Sequence, residues 1–600
     1  MPVVYRRDFV TTLLVAAGAL GLSNLGAGAA EAATGTAGIL YVDTMAGLRN
    51  LAAGGLPAQL AILKGFATPG DGGGGIFCWS AIAAKDDGGT VINASAGSAA
   101  SGWRRLYSGP LDVRWFGAVG DGVTPASDAI QRAIDSCALK GGGKVFFPSA
   151  PPPGTAIPVA VYSLDKPLAI IFNKAHHDAS NITLSGETEG AAGNTQSQFQ
   201  WAGSPKEPML QLYSCDCVVE NMLFNGTKPA LCAIDITLAP DPSQICSNNT
   251  IRNVNIRGSM VYGIKLGDKF GPGPYPPNCE QMKFEYVFIE LDPSNYNNPT
   301  MSLAGYYIPN NSGQNRNEAW IGGFIAEVKR GIWAVSIGGY LTGVEFGQCK
   351  YGVWLDSQTD YLNFTDCSSE GMERFIWQSG IGSTPYNICV RGGSHDIQNL
   401  PATGEYANIF CRLTGLGPYY FDGVWFENGT PGKKMYIQAG TPNHGSKVSM
   451  RNCVAPYPHW GLADGLGVEF TQQNCIGWDP DDPNGPGHGF AGSDFPMPDS
   501  TGTHGMVIIS GAQTSATVKL PPSVIGYSAG AATDVPPYSK GYLITNLTVG
   551  KTPGTTSVAA GALRASHEMK TPTDFVIVLE AAPGEGNAVE VTWAVQALAV

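Results

Sequence analysis

Trp333, Trp354 and Trp377 stand 21 and 23 residues apart, each inside a short stretch of the same form: RGIWAVS, YGVWLDS and RFIWQSG. YGIKLGD, starting at residue 262, has the same form. A recurring unit of about this length is what one coil of a solenoid takes, and a coil that short cannot form a core alone. It must bury its inward side chains against the coils above and below. A second series of alternating strands runs through the same region: ITLSGE (182–187), NMLFNG (221–226), NVNIRG (253–258), GVEFGQC (343–349), YLNFTDC (361–367), KVSMRNC (447–453) and EFTQQNC (469–475). Alternation with period two puts one side of each in the core.

A chain of 600 residues exceeds what one compact core supports, whereas a stack of coils grows in one dimension. The 79 glycines, 42 prolines and low charged fraction of 14% suit short strands and tight turns, so an all-β chain is expected. A net charge of −13 with no Lys/Arg cluster argues against nucleic-acid and anionic-membrane partners. A neutral or weakly acidic ligand fits better.

The 13 cysteines are scattered, without C-x-x-C or zinc-type spacing, so no metal site is expected and small buried thiols are. Four strands end in a polar residue followed by Cys: Gln348-Cys349, Asp366-Cys367, Asn452-Cys453 and Asn474-Cys475. The pattern suggests one ladder, with Cys inward and the polar group bonding along the stack.

Residues 1–33 carry Arg6-Arg7, an apolar run from Phe9 to Leu22 too short to span a bilayer, and then small residues. This is a twin-arginine-like export signal, placing the protein in the periplasm or outside a bacterial cell. No later run is long and apolar enough for a membrane helix. Residues 38–110 form a small head domain with a helical start (Met45 to Leu63) and a GDGGGG cluster at 70–75. Residues 111–478 hold the coils, 479–500 form a Pro/Gly/Asp-rich linker, and 501–600 an antiparallel β-sandwich. At the start of the coils the sequence predicts a strand (Val113 to Phe116), an amphipathic helix burying Ala129, Ile130, Ala133 and Ile134, and a second strand KVFFP.

That opening, WFGAVGDGVT…AIQRAID…GGGKVFFP, with GDGGGGIFCW and GWRRLYSG before it, resembles the pectate-lyase-like family, in particular bacteriophage tailspikes and related secreted polysaccharide-degrading enzymes. The resemblance covers roughly residues 65 to 150. Where the family has paired acidic residues after Gly-Val-Thr, Pro125, Ala126 and Ser127 here precede a single Asp128, a local variation at the helix N-terminus. The resemblance implies a right-handed, single-stranded parallel β-helix, a homotrimer, and endo-acting cleavage of a bacterial exopolysaccharide or plant-type polysaccharide.

On such a helix, carboxylates one coil apart are separated by about 4.8 Å, near the roughly 5 Å of a retaining glycosidase. Two coils approach the roughly 6.5–9.5 Å of an inverting one. Carboxylates concentrate at 320–374. Counting from the tryptophans puts Glu327 and Gln348 in one column and Glu370 in or beside it; counting from the cysteines pairs Gln348 with Asp366 and leaves Glu370 and Glu373 in an insertion. The sequence leaves both registers open. Glu345 points outward if Val344 and Phe346 point in. The catalytic candidates are therefore Glu327, Glu345, Asp366 and Glu370, with Asp366 read first as a ladder residue and Glu327 equally part of an exposed turn. Trp425 and Glu427 in VWFENG offer a stacking ring and an acid. His395-Asp396 is an acid–base pair or a polar loop. Lys350 and Tyr351 are further substrate-binding candidates and, with Lys329 and Arg330, would suit a lyase acting on uronate. GHG at 487–489 lacks companion aspartates and is set aside. The expected order is glycoside hydrolase without cofactor, then polysaccharide lyase with calcium a possible helper, then a non-catalytic carbohydrate-binding protein.

Overall fold

The computed structural model describes residues 39–51, 60–82, 84–94, 101–171, 180–188, 196–236, 246–266, 279–292, 300–309, 317–379, 387–398, 400–401, 406, 408–415, 417–428, 435–439, 447–454, 460–463, 469–473, 475, 503–519, 542–551, 565–571 and 574–597. Residues 1–33, read from the sequence as an export signal, residues 479–500, read as a linker with its GHG, and Asn474 lie outside the described residues. The chain divides into two compact units between Ser108 and Gly109.

In the first unit, five strands form one sheet in the order Ile39–Val42, Leu60–Leu63, Gly75–Ser80, Gly102–Leu106, Val91–Asn93. Val42, Leu48, Leu63, Phe77, Ile92 and Trp103 make its core. The expected long helix is shorter: it covers Met45–Asn50, with Gly47 N donating to the Thr44 hydroxyl at 3.2 Å, and Leu60–Leu63 is a strand. The intervening Gly54, Gly55 and Pro57 disfavour a continuous helix. The glycine cluster turns around Asp71, whose carboxylate accepts from the backbone N–H groups of Phe66, Ala67, Thr68 and Gly73.

In the second unit, the strands of successive coils pair parallel, coil upon coil, on three faces. On the first face the inward column runs Val145, Leu184, Val219, Ile251, Phe284, Trp320, Leu341, Phe364, Val390, Phe421. On the second it runs Phe199, Phe224, Ile256, Ile289, Ile325, Phe346, Ser369, His395, Phe426. On the third it runs Ile264, Tyr306, Ile332, Val353, Ile376, Cys411, Ile437. These columns are buried, and each large apolar side chain removed from water contributes roughly 1.5–3 kcal/mol.

Corners turn on single residues in the left-handed region. Between the first and second faces they are Asn221, Asn253, Tyr286, Gly322, Gly343, Asp366, Gly392, Gly423 and Asn452, with φ from 50° to 66°. Between the second and third they include Glu327, Gln348 and Gly371 (φ 58°, 50° and 72°). Asn, Asp and Gly pay least for this conformation, which explains their recurrence.

The polar-Cys pairs therefore form two ladders. Gln348-Cys349 turns from the second face to the third, whereas Asp366-Cys367 and Asn452-Cys453 turn from the first to the second. The cysteines pack inward, as with Cys349 Sγ 3.4 Å from Ile325 O and Cys367 Sγ 3.5 Å from Leu341 O, and the cysteines whose side chains are described are free thiols.

Val113–Phe116 is a 3-10 turn, where the sequence predicts a strand. Asp112 accepts from Arg114 N at 2.9 Å and Gly117 ends the turn at φ 94°, so the strand closes at Asp112. The helix Ser127–Ala138 buries Ala129, Ile130, Ala133 and Ile134 against the first coils. Beyond the coils, Thr503–Gly511, Gly584–Ala597 and Tyr542–Lys551 form one antiparallel sheet, and Ser515–Lys519, Asp574–Leu579 and Ala565–Thr571 a second. No described helix is long and apolar enough to cross a membrane.

Candidate active site

The tryptophan register is the one the fold adopts: Trp333 pairs with Trp354 and Trp354 with Trp377, all on the third face. Ala326, Gly347 and Glu370 are then successive partners on the second face. Glu327 N donates to Gly347 O (3.0 Å) and Gln348 N to Glu370 O (2.7 Å). Glu327 and Gln348 thus share a corner column, with Glu370 one residue before it, two coils from Glu327.

Two outward ladders cross the second face. One carries Phe288, Phe324, Glu345 and Ser368, and two coils beyond Ser368 comes Trp425, opposite Ser394. The other carries Glu290, Ala326, Gly347 and Glu370, with the Asp396–Glu427 pair on the coils beyond. Glu345, Glu370, Trp425 and Glu427 are exposed, Trp425 at 47%. Glu345 is diagonal to Glu370, about 7–8 Å between backbones. Phe324 and Trp425 are four coil steps apart, about 19 Å, so carboxylates lie between aromatic groups on a strip floored by Ala326, Gly347 and Ser368.

Glu327 is the electrostatically distinctive member. Burial, and then the charges of Glu290 and Asp292, push its carboxyl above the ordinary range. Sequence reasoning missed Glu290 and Asp292, although IELD at 289–292 falls one coil before IAE at 325–327. Asp366 is not brought to this corner. It turns the chain at the opposite edge of the face, about 13 Å along the strand from Glu370.

His395 and Asp396 do not form an acid–base pair. His395 is fully buried in the inward column, its ring 3.9 Å from Phe375 and its Nδ1 3.3 Å from Ser369 Oγ. Burial lowers its pKa to about 3, so it stays neutral. Glu318 is likewise interior: Tyr306 Oη donates to Oε2 at 2.7 Å, and burial raises the carboxyl to about 8.

Around the corner, the third face stacks rings and guanidinium groups. Arg330 lies 4.2 Å from the Trp333 ring and 4.5 Å from that of Trp354, and Asp356 accepts from both indoles at 2.6 and 2.5 Å. Tyr351 packs edge-on against Trp354 at 4.6 Å, and Lys350 pairs with Glu373 at 3.8 Å. Lys329 has its pKa lowered by burial and by Arg330 and Lys350. Among the described residues, no group of three His, Cys, Asp or Glu is placed to hold a metal ion.

Residues 41–108 match the family model described as the phage tail protein small four-stranded beta-sheet domain. A search of curated proteins finds no match. Among solved structures, the chain is similar to the gp42 tailspike of Acinetobacter phage vb_AbaP_AS12 at 13% identity, covering 94% of each chain with a TM-score of 0.52. It is also similar to the tailspike protein of Acinetobacter phage vB_ApiP_P1 (14% identity, 93% of this chain and 99% of that one, TM-score 0.44). A third is gp49 of Acinetobacter baumannii bacteriophage Fri1, a capsular polysaccharide depolymerase (12%, 93% and 100%, TM-score 0.34). The columns, corners and capping helix, with the first of these likenesses, make the fold a tailspike-like parallel β-helix preceded by a phage-tail-type head.

Proposed function

We propose that this chain is an exported, endo-acting polysaccharide-degrading enzyme, a glycoside hydrolase working on the second face as a homotrimer. The observation that carries the reading is the Glu327 corner, where a half-buried carboxyl is pushed toward its protonated form by burial and two acidic neighbours. A general acid needs that property near neutral pH. Glu327 protonates the departing glycosidic oxygen. Glu370, two coils on, activates water from the other side of the sugar at a spacing near the inverting range. Glu345 and Glu427 accept hydroxyl hydrogen bonds along the strip, Trp425 stacks a ring, and Lys350 and Tyr351 border the corner. Asp366 serves the turn. The reaction as written needs no cofactor.

A lyase is the second reading, favoured by Lys329, whose lowered pKa suits a base beside a uronate with Arg330 as the stabilising cation. Replacing Glu327 and Glu370 singly by Gln tests the first reading. Each should abolish release of reducing ends, and unchanged release from both would reject it.

A further inference from the structure

The first face carries a groove of about 880 Å³ on the opposite edge of the second face from Glu327. Its lining includes Lys144, Glu187, Glu220, Arg252, Glu285 and Tyr286. Tyr286 and Asp292 bound the same second-face strand segment, six residues apart, so the groove and the carboxylate corner are separated by about 20 Å.

Tyr286 is the unusual group here. It occupies the left-handed corner at φ 53°, a conformation that bulky residues rarely take, and its side chain is 55% exposed. The two preceding coils use Asn221 and Asn253 at this corner, joined by an Nδ2-to-Oδ1 bond of 3.3 Å, and Tyr286 ends that ladder. The next coil has Gly322, where a Cβ would sit 2.8 Å from the Tyr286 ring. The missing side chain leaves room for the ring to lie at the groove's lip. Strained, exposed residues held by their surroundings tend to mark ligand contacts.

The charges are arranged for hydrogen bonding without a strong net field. Glu220 is almost fully buried and bonds to Lys144 Nζ at 2.8 Å and Arg252 Nη2 at 2.5 Å. Burial opposes its charge, yet hydrogen bonds from Lys144, Arg252 and Ser185 bring it down to about 2, so it stays ionised. Glu187 accepts from Ser149 N and Oγ at 2.8 and 2.9 Å. Two cations and three carboxylates leave the lining with one net negative charge, which disfavours a polyanion and suits hydroxyl groups that both donate and accept.

We propose that this groove is a second glycan-binding site, taking a segment of neutral polysaccharide with one sugar ring against Tyr286 and hydroxyls on Arg252, Lys144 and Glu285. It holds polymer independently of the carboxylate corner, so one segment stays anchored while another is cut.

The test is electrophoretic retardation of the full chain in gels containing galactomannan or dextran, with polygalacturonate as the acidic comparison. The variants are Tyr286→Phe, which keeps the ring, and Tyr286→Asn, which restores the residue that the two preceding coils use and so keeps the corner foldable. Wild type and Tyr286→Phe should be retarded alike by at least one neutral polymer, and Tyr286→Asn about fivefold less. Its melting temperature should not fall. Equal retardation of Tyr286→Asn, retardation by none of the neutral polymers, or a changed oligomeric state in Tyr286→Asn would each overturn the proposal; the last would make the groove a contact between copies. Binding without chain cleavage would count against the hydrolase reading alone.

Discussion

Glu327 and Gln348 occupy the same left-handed corner on successive coils, at φ 58° and 50°, with Glu327 N bonded to the carbonyl of Gly347 at 3.0 Å. Neither residue type favours that backbone, and single residues held there carry strain of about 1–3 kcal/mol. The corner fixes how far Glu327 is buried and where it stands relative to Glu290 and Asp292, and burial first, then those two charges, raise its proton affinity.

The pH profile of cleavage should therefore carry the signature of Glu327. With its pKa raised, the acid is present below the folded pKa and lost as pH rises through it, giving a basic limb. Glu290→Gln removes one repelling charge and should shift that limb to lower pH. A limb that stays in place in Glu290→Gln would detach it from Glu327.

Trp425→Ala should act on binding more than on chemistry. Loss of a stacking ring worth roughly 1 kcal/mol raises KM about fivefold with kcat little changed. A fall in kcat at constant KM would move Trp425 out of the role of a stacking platform.

The tryptophan spacing made the third face legible, because those rings recur at one ladder position. The cysteine spacing misled because Cys follows the corner residue at two different corners. Local sequence does not distinguish Gln348, before the third face, from Asp366, before the second. The first register is the one that puts Glu327 and Glu370 two coils apart. Glu290 and Asp292 were missed because loop lengths between coils vary, and only pairing of Glu290 with Ala326 brings IELD beside Glu327. For His395 the sequence offers an acid–base pair or a polar loop and the fold adopts neither, because one-residue alternation between Ser394 and Asp396 turns His395 inward. The groove beside Tyr286 left no sequence signal, since its charges come from five separate coils.

Asp366→Asn should be nearly silent. Asn turns the same corner at positions 221, 253 and 452, so stability should change by less than about 0.5 kcal/mol and activity less than about twofold. Asp366→Val, β-branched in the left-handed region, should cost more than about 1 kcal/mol in denaturant unfolding. A large activity loss in a stable Asp366→Asn protein would return Asp366 to the catalytic set.

Glu318 makes stability fall as pH rises. Its carboxyl is raised from 4.5 to about 8 by burial, so the unfolded chain releases this proton first. The stabilisation is complete below 4.5 and disappears by about 8. Glu318→Gln retains an acceptor for Tyr306 and should flatten the melting temperature over that window. Identical slopes in wild type and variant would mean Glu318 is not the group responsible.

The most direct test of the central claim is to incubate the protein with neutral and uronate-containing polysaccharides and record reducing ends together with ultraviolet absorbance of unsaturated sugar. Hydrolysis at the Glu327 corner predicts reducing ends without absorbance, lost in Glu327→Gln; a matching rise in both would contradict it and establish β-elimination.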